Sequence, residues 1–269
     1  MHLDSQSAPS QPDADSHPII SGNVVARENP PWTGWDVLRI FLFAVAMLFG
    51  FLIATTLVAK AALFPSLKFF NVMSLPLVAI VAQVLAYVAL FALMFSVATR
   101  RSGTPFGDAI RWNWPTQGVP WLVLIGLITY LAVLGVAFFL PVPKKTPFEE
   151  FLKRPADAYA LALLAITLGP LMEELFFRGF LYAVLARRLG LFLAVFLTAI
   201  PFALIHYSEY AAWGPVLLVF LAGLVFTVVR VRRNSVAASF LVHSVYNGAQ
   251  MAILFVHTDG FRHLEKLSR

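Results

Sequence analysis

Glu173 and Glu174 stand side by side in an otherwise apolar stretch, with Arg178 close behind. Charged side chains at the centre of a membrane helix cost about 2.5–3.5 kcal/mol each on insertion scales, so a chain that keeps them is expected to use them. Few other strongly polar groups occur in the apolar runs of the C-terminal half. They are His206, His243, Asn247 and Gln250. Spacing decides which of these can act together. Glu174 and Arg178 are four apart, acid first, the order that suits an ion pair on one helix face. Glu173 is turned about 100° away on a helix of 3.6 residues per turn and can face a different space. His243 and Asn247 are again four apart and project together. Phe202 lies four before His206, where it can pack under the imidazole.

This set of side chains supports more than one chemistry. A carboxylate and two imidazoles around an internal water can deprotonate it for attack on a carbonyl. An Asn amide and an imidazole N–H can donate to the oxyanion that develops. Glu173, His206 and His243 are equally a valid ligand set for catalytic zinc with one open position. Each residue also has a plain reading. Glu174–Arg178 is a structural ion pair, and His206 can be an interfacial histidine beside Tyr207, Ser208 and Glu209. His243, Asn247 and Gln250 can be interhelical hydrogen-bond glue. Ser239, Ser244 and Thr198 read as small packing residues.

The elements that must position these groups are membrane helices. The chain of 269 residues is 59% hydrophobic and 13% charged, with a mean hydropathy of +0.79. Soluble domains are about 45–50% apolar and about 25% charged. There are no cysteines, which excludes disulfides, thiolate metal sites and cysteine nucleophiles. The net charge of +6 sits in short basic clusters between apolar runs, a membrane-loop pattern rather than a nucleic-acid footprint. Runs of about 20 apolar residues suffice to cross the hydrocarbon core as helices.

Seven main segments are expected, over 36–64, 72–99, 121–140, 158–188, 191–206, 215–230 and 235–256, with Trp32 and Trp35 as interfacial anchors of the first. A short interfacial helix is expected over 148–153. The Gly169-Pro170 step should kink the fourth segment, because Pro donates no backbone hydrogen bond. The chain divides into a polar, disordered N-terminal tail (1–31), N-terminal helices and linker (32–157), a motif-bearing core (158–257) and a basic tail (258–269). Arginines at helix ends favour a cytoplasmic N-terminus. Depth along the helices is consistent with convergence. Glu173 is 14 residues before Arg187, His206 is 15 after Leu191 and His243 is 13 after Arg230, each about 20–22 Å at 1.5 Å per residue.

Three motifs in order resemble those of the CPBP family, the CAAX-protease and bacteriocin-processing (Abi) membrane proteins. They are Glu173-Glu174-Leu175-Phe176-Phe177-Arg178 followed by Gly179, Phe202-Ala203-Leu204-Ile205-His206, and His243-Ser244-Val245-Tyr246-Asn247. The resemblance covers about 158–256 and implies an all-α, polytopic transmembrane bundle of about seven to eight helices, with the motif helices lining an intramembrane cavity. It implies an intramembrane endopeptidase in which Glu173 and His206 activate water while His243 and Asn247 bind the oxyanion. Glu174, Arg178 and Phe202 support them. Whether the mechanism is glutamic or uses zinc held by Glu173, His206 and His243 stays open, and no cofactor is assigned. The expected partners are the lipid bilayer and a membrane-associated protein or peptide substrate, with no nucleic acid, in a multi-pass protein of the bacterial plasma membrane. A non-catalytic immunity or scaffold protein and a transporter or proton relay are the rival readings. The relay is disfavoured because no discontinuous helix pair repeats between the halves.

Overall fold

The computed structural model describes residues 28–141, 143, 147, 152 and 154–268. The short helix expected over 148–153 and most of the polar tail lie outside the described residues. Regular structure among the described residues is entirely helical, and seven helices are long and apolar enough to cross a membrane. This is an integral, multi-pass membrane protein.

α1 (Gly34–Ala62) starts at a capping box in which Thr33 and Asp36 satisfy each other's backbone N–H groups, groups that a helix start otherwise leaves open. Arg101 donates to the same Asp36 at 3.0 Å. A single turn, α2 (Phe69–Met73), joins α1 to α3 (Pro76–Ser102), which begins with Pro at its first position and stops at Gly103 in the left-handed region (φ 68°). The one-turn α4 (Phe106–Ile110) leads to α5 (Val119–Ala137).

The fourth segment is a broken helix: α6 (Pro155–Ile166), α7 (Leu168–Glu174), a π-helical stretch (Leu175–Leu181) and α8 (Tyr182–Leu189). The break falls at Thr167 (φ −117°, ψ −83°), one turn before Pro170. This agrees with the expected kink, since a proline ring clashes with the carbonyl four residues earlier, here that of Ile166. The π stretch was not foreseen. It follows directly on Glu174 and carries Arg178, and such insertions concentrate at functional sites. α9 (Leu191–Ile205) contains Pro201 and ends at His206. The turn α10 (Tyr207–Tyr210) and α11 (Trp213–Arg233) follow. Asn234, left-handed at φ 49°, reverses the chain into α12 (Val236–His257), capped by Ser235.

Packing places the broken helix at the centre. On one side α1 and α3 bury Ile40, Leu90 and Met94 against Met172, Leu175 and Phe180. On the other, α5, α9, α11 and α12 bury Leu122, Phe202, Phe226 and Val242 against Phe177. The apolar window of α1 is only 11% buried and that of α11 is 50% buried, so α1 turns most of its side chains to lipid while α11 is an inner helix.

Two expectations change here. Trp32 is not an interfacial anchor. It is 1% exposed, packs on Phe180 with ring centroids 4.5 Å apart and donates its indole N–H to the Phe180 carbonyl at 3.2 Å. A buried indole needs such an acceptor, and the widened π stretch offers one. Trp35 does face outward, at 70% exposure. Of residues 28–31, grouped with the tail on composition, Glu28 and Pro30 are buried. Glu28 pairs with Arg230 at 2.9 Å and Arg111 at 3.4 Å, and Arg187 donates to the carbonyls of Pro30 and Trp32. Arg230 is therefore a buried partner rather than a loop charge.

Candidate active site

The two adjacent glutamates face different surroundings, as their helical offset requires. Glu174 is fully enclosed and fully bonded. It accepts from Arg178 Nη1 at 2.8 Å, Ser239 Oγ at 2.6 Å and His243 Nδ1 at 2.9 Å. Arg178, equally buried, spends its other donors on Thr227 Oγ1 at 3.2 Å and the Gly223 carbonyl at 2.8 Å. Its guanidinium also lies 4.3 Å from the Phe202 ring centroid. Guanidinium and carboxylate thus remain charged at low dielectric because each is paired and hydrogen-bonded.

Glu173 has a different neighbourhood. Its side chain is 20% exposed, and its Oε2 lies 3.9 Å from His206 Nε2 and 3.8 Å from His243 Nε2. The expected convergence of Glu173, His206 and His243 is thus present in the fold. The second ring nitrogens define the tautomers. His206 Nδ1 lies 2.7 Å from the Phe202 carbonyl, which can only accept, so Nδ1 carries hydrogen and the neutral ring presents a lone pair at Nε2. His243 Nδ1 donates to the Glu174 carboxylate by the same reasoning. The rings are also fixed by stacking: His243 lies 4.4 Å from Phe226, nearly parallel, and Phe202 contacts both His206 and His243.

Separations of 3.8 and 3.9 Å leave room for a water hydrogen-bonded at about 2.8 Å to each atom. They exceed the roughly 3.3–3.4 Å between ligands of a tetrahedral ion with bonds of 2.0–2.1 Å. No group of three or more His, Cys, Asp or Glu among the described residues is arranged to hold a metal. As placed, the trio does not fit zinc.

Asn247 is less directly placed. Its Nδ2 donates to the Ala165 carbonyl at 2.8 Å, next to the break between α6 and α7. An amide carries two N–H groups, so one remains for another acceptor. Four contributors escaped the sequence reading. Ser239, taken as packing, is a ligand of Glu174, and its position four residues before His243 on the same face was the available signal. Phe226, Thr227 and the Gly223 carbonyl had none, because nothing in local spacing places α11 against the motif helix.

Comparison with known proteins converges on the same segment. Residues 155–249 match the family described as type II CAAX prenyl endopeptidase Rce1-like. A protein of Escherichia coli described as an uncharacterized 24.3 kDa protein is 34% identical over 133 residues, 47% of this chain and 59% of that relative. No solved structure matches the chain significantly. Residues 155–249, which hold all three motifs in order on three helices packed around one site, are thus similar to that family of endopeptidases and lie within a multi-pass membrane protein.

Proposed function

We propose that the chain is an intramembrane endopeptidase that hydrolyses a peptide bond of a membrane-associated protein or peptide, with Glu173 as general base. The observation that carries this reading is the meeting of Glu173 Oε2 with the Nε2 atoms of His206 and His243. A water bound between Glu173 and His206 gives its proton to the Glu173 carboxylate as its oxygen attacks the carbonyl carbon. His243, protonated on both nitrogens, donates from Nε2 to the developing oxyanion, and the spare N–H of Asn247 is the second donor. When the tetrahedral intermediate collapses, Glu173 returns the proton to the leaving amine.

Glu174 has a defined part in this scheme. Its carboxylate receives Nδ1–H of His243 and orients the ring, as a buried carboxylate does for the histidine of a serine-protease triad. Arg178 and Ser239 hold that carboxylate in place.

The decisive experiment compares membrane peptides from cells carrying the wild type and Glu173→Gln. Peptides that accumulate uncut in the variant, and are cut by purified wild type, support the reading. Unchanged peptides would refute it and favour an immunity or scaffold role. Activity is expected to survive strong chelators, and one zinc per purified chain with chelator-sensitive cleavage would overturn the metal-free mechanism.

A further inference from the structure

Residues 28–33 precede α1 as a strap without regular structure, and they lie outside the segment 155–249 that matches the endopeptidase family. They are nonetheless bonded to α11, α8 and the π-helical stretch. Glu28 holds Arg230 of α11 at 2.9 Å and Arg111, just after α4, at 3.4 Å. The carbonyls of Pro30 and Trp32 both accept from Arg187 of α8. Trp32 reaches the π-helical stretch itself. Its Nε1–H donates to the Phe180 carbonyl at 3.2 Å, and its ring packs on that of Phe180 with centroids 4.5 Å apart. Both side chains are enclosed, so no water competes for that carbonyl.

The π geometry makes these contacts consequential. Its hydrogen bonds run five residues back instead of four, as from the Tyr182 N–H to the Phe177 carbonyl, so the stretch holds one residue more than an α-helix would. That form is the rarer one and needs tertiary contacts to select it. Return to α-helix would turn everything after the stretch by about 100° and shift it by about 1.5 Å relative to α7. Arg178 could not then keep all its bonds, because it joins Glu174 at the end of α7 to Thr227 and the Gly223 carbonyl on α11. Glu174 in turn holds Nδ1 of His243. Met172 and Leu175 fix the near side of the stretch in the core shared with α1 and α3. On the far side the strap fixes Phe180 and Arg187. The surplus residue cannot be expelled while both sides are held.

We infer that Trp32 is a positioning residue of the candidate active site: through the Phe180 carbonyl it locks the π register that sets Arg178 against Glu174, and so orients His243. The inference rests on the peptidase reading and adds to it a working part outside the motif-bearing segment. Trp32 acts through the helix, not on the substrate. An indole suits the task because its ring fills the core while its N–H fixes one carbonyl. A phenyl ring would supply only the first. The bonds from Glu28 and Arg187 keep the indole seated.

The test uses the full chain purified in detergent and a peptide chosen from those that accumulate uncut in Glu173→Gln membranes. Trp32→Phe keeps an aromatic ring and removes the N–H, so kcat should fall about three- to tenfold, as for one lost hydrogen bond, with KM unchanged. Hydrogen–deuterium exchange read by mass spectrometry should quicken over 175–189 while the other spans keep their rates. Arg187→Gln frees the strap from α8 and should give the same pattern; it decides alone if Trp32→Phe does not fold. Trp35→Phe, at the exposed tryptophan, is the control and should leave both readouts unchanged. Wild-type kcat and exchange in Trp32→Phe overturn the inference and leave the peptidase reading intact. A rise in KM alone does the same, as does exchange that quickens equally in every span, which reports general loosening. No cleavage of any membrane peptide by wild type refutes the peptidase reading. Exchange quickened only over 175–189 then keeps the strap as a lock on the π stretch, and any other exchange pattern refutes both.

Discussion

Replacing Glu174 with Gln should separate the stability of this fold from its chemistry. The substitution keeps the volume and leaves an oxygen for hydrogen bonding, but it removes the one carboxylate bonded directly to Arg178. The remaining partners of Arg178 are a hydroxyl, a carbonyl and an aromatic face, and none carries a compensating charge. Arg does not deprotonate in proteins, so the guanidinium stays charged in a site with no exposure. Breaking a buried pair in this way costs about 3–5 kcal/mol, a large fraction of a typical stability of about 5–15 kcal/mol. Adding Arg178→Met removes the stranded charge at similar length. The double variant should therefore recover most of the lost stability, because replacing both members of a buried pair by apolar groups is often close to neutral. Activity should not recover. In both variants Nδ1 of His243 faces an amide, which can present its own N–H and reverse the ring's tautomer. Thermal or denaturant unfolding in detergent gives the stability cycle, and turnover of a substrate peptide gives the other axis. A Glu174→Gln loss below about 1 kcal/mol would refute the claim that Arg178 depends on it. A double variant with wild-type turnover would refute the role given to Glu174 in orienting His243.

Three further outcomes follow from the packing. A Cβ added at Gly223 would stand 2.7 Å from Phe202 Cδ1 and 3.5 Å from Arg178 Nη2. Gly223→Ala should thus cost about 1–3 kcal/mol of stability and reduce turnover through His206 and His243; adding Phe202→Leu should restore part of the stability, and full activity in the single variant would contradict the close packing. Ser239→Ala removes one of three donors to a buried carboxylate, and should cost about 1.5–3 kcal/mol with a fall in kcat rather than a rise in KM, measured on one peptide at several concentrations. Trp32→Ala should cost about 3–5 kcal/mol, as for a large buried aromatic, whereas Trp35→Ala should change the unfolding midpoint little. Equal effects would restore the anchoring role for Trp32.

The parts of the site legible in the sequence were those governed by helical offset. Glu173 and Glu174 had to face different directions, Glu174 could reach Arg178, and Phe202 could sit under His206; all three hold. Offset also had a limit. His243 and Asn247 share a face, yet Asn247 turns to the Ala165 carbonyl while His243 turns to the glutamates. That choice depends on where α6 breaks and which groups it leaves open. Ser239 lay on the same face as His243, but a serine in a membrane helix has too many bland uses to be singled out without its partner in view.

Hydropathy and spacing alone determined that this is a multi-pass helical membrane protein with its polar chemistry in three segments. That follows because lipid forces each span to satisfy its own backbone and makes every retained charge conspicuous. The tertiary structure decided how those charges are divided. It enclosed Glu174 with Arg178, Ser239 and His243, and left Glu173 partly open against two imidazole nitrogens. It also folded Trp32 into the core. Such partnerships join residues far apart in the chain, through crossing positions and a π-helical stretch that local periodicity does not encode.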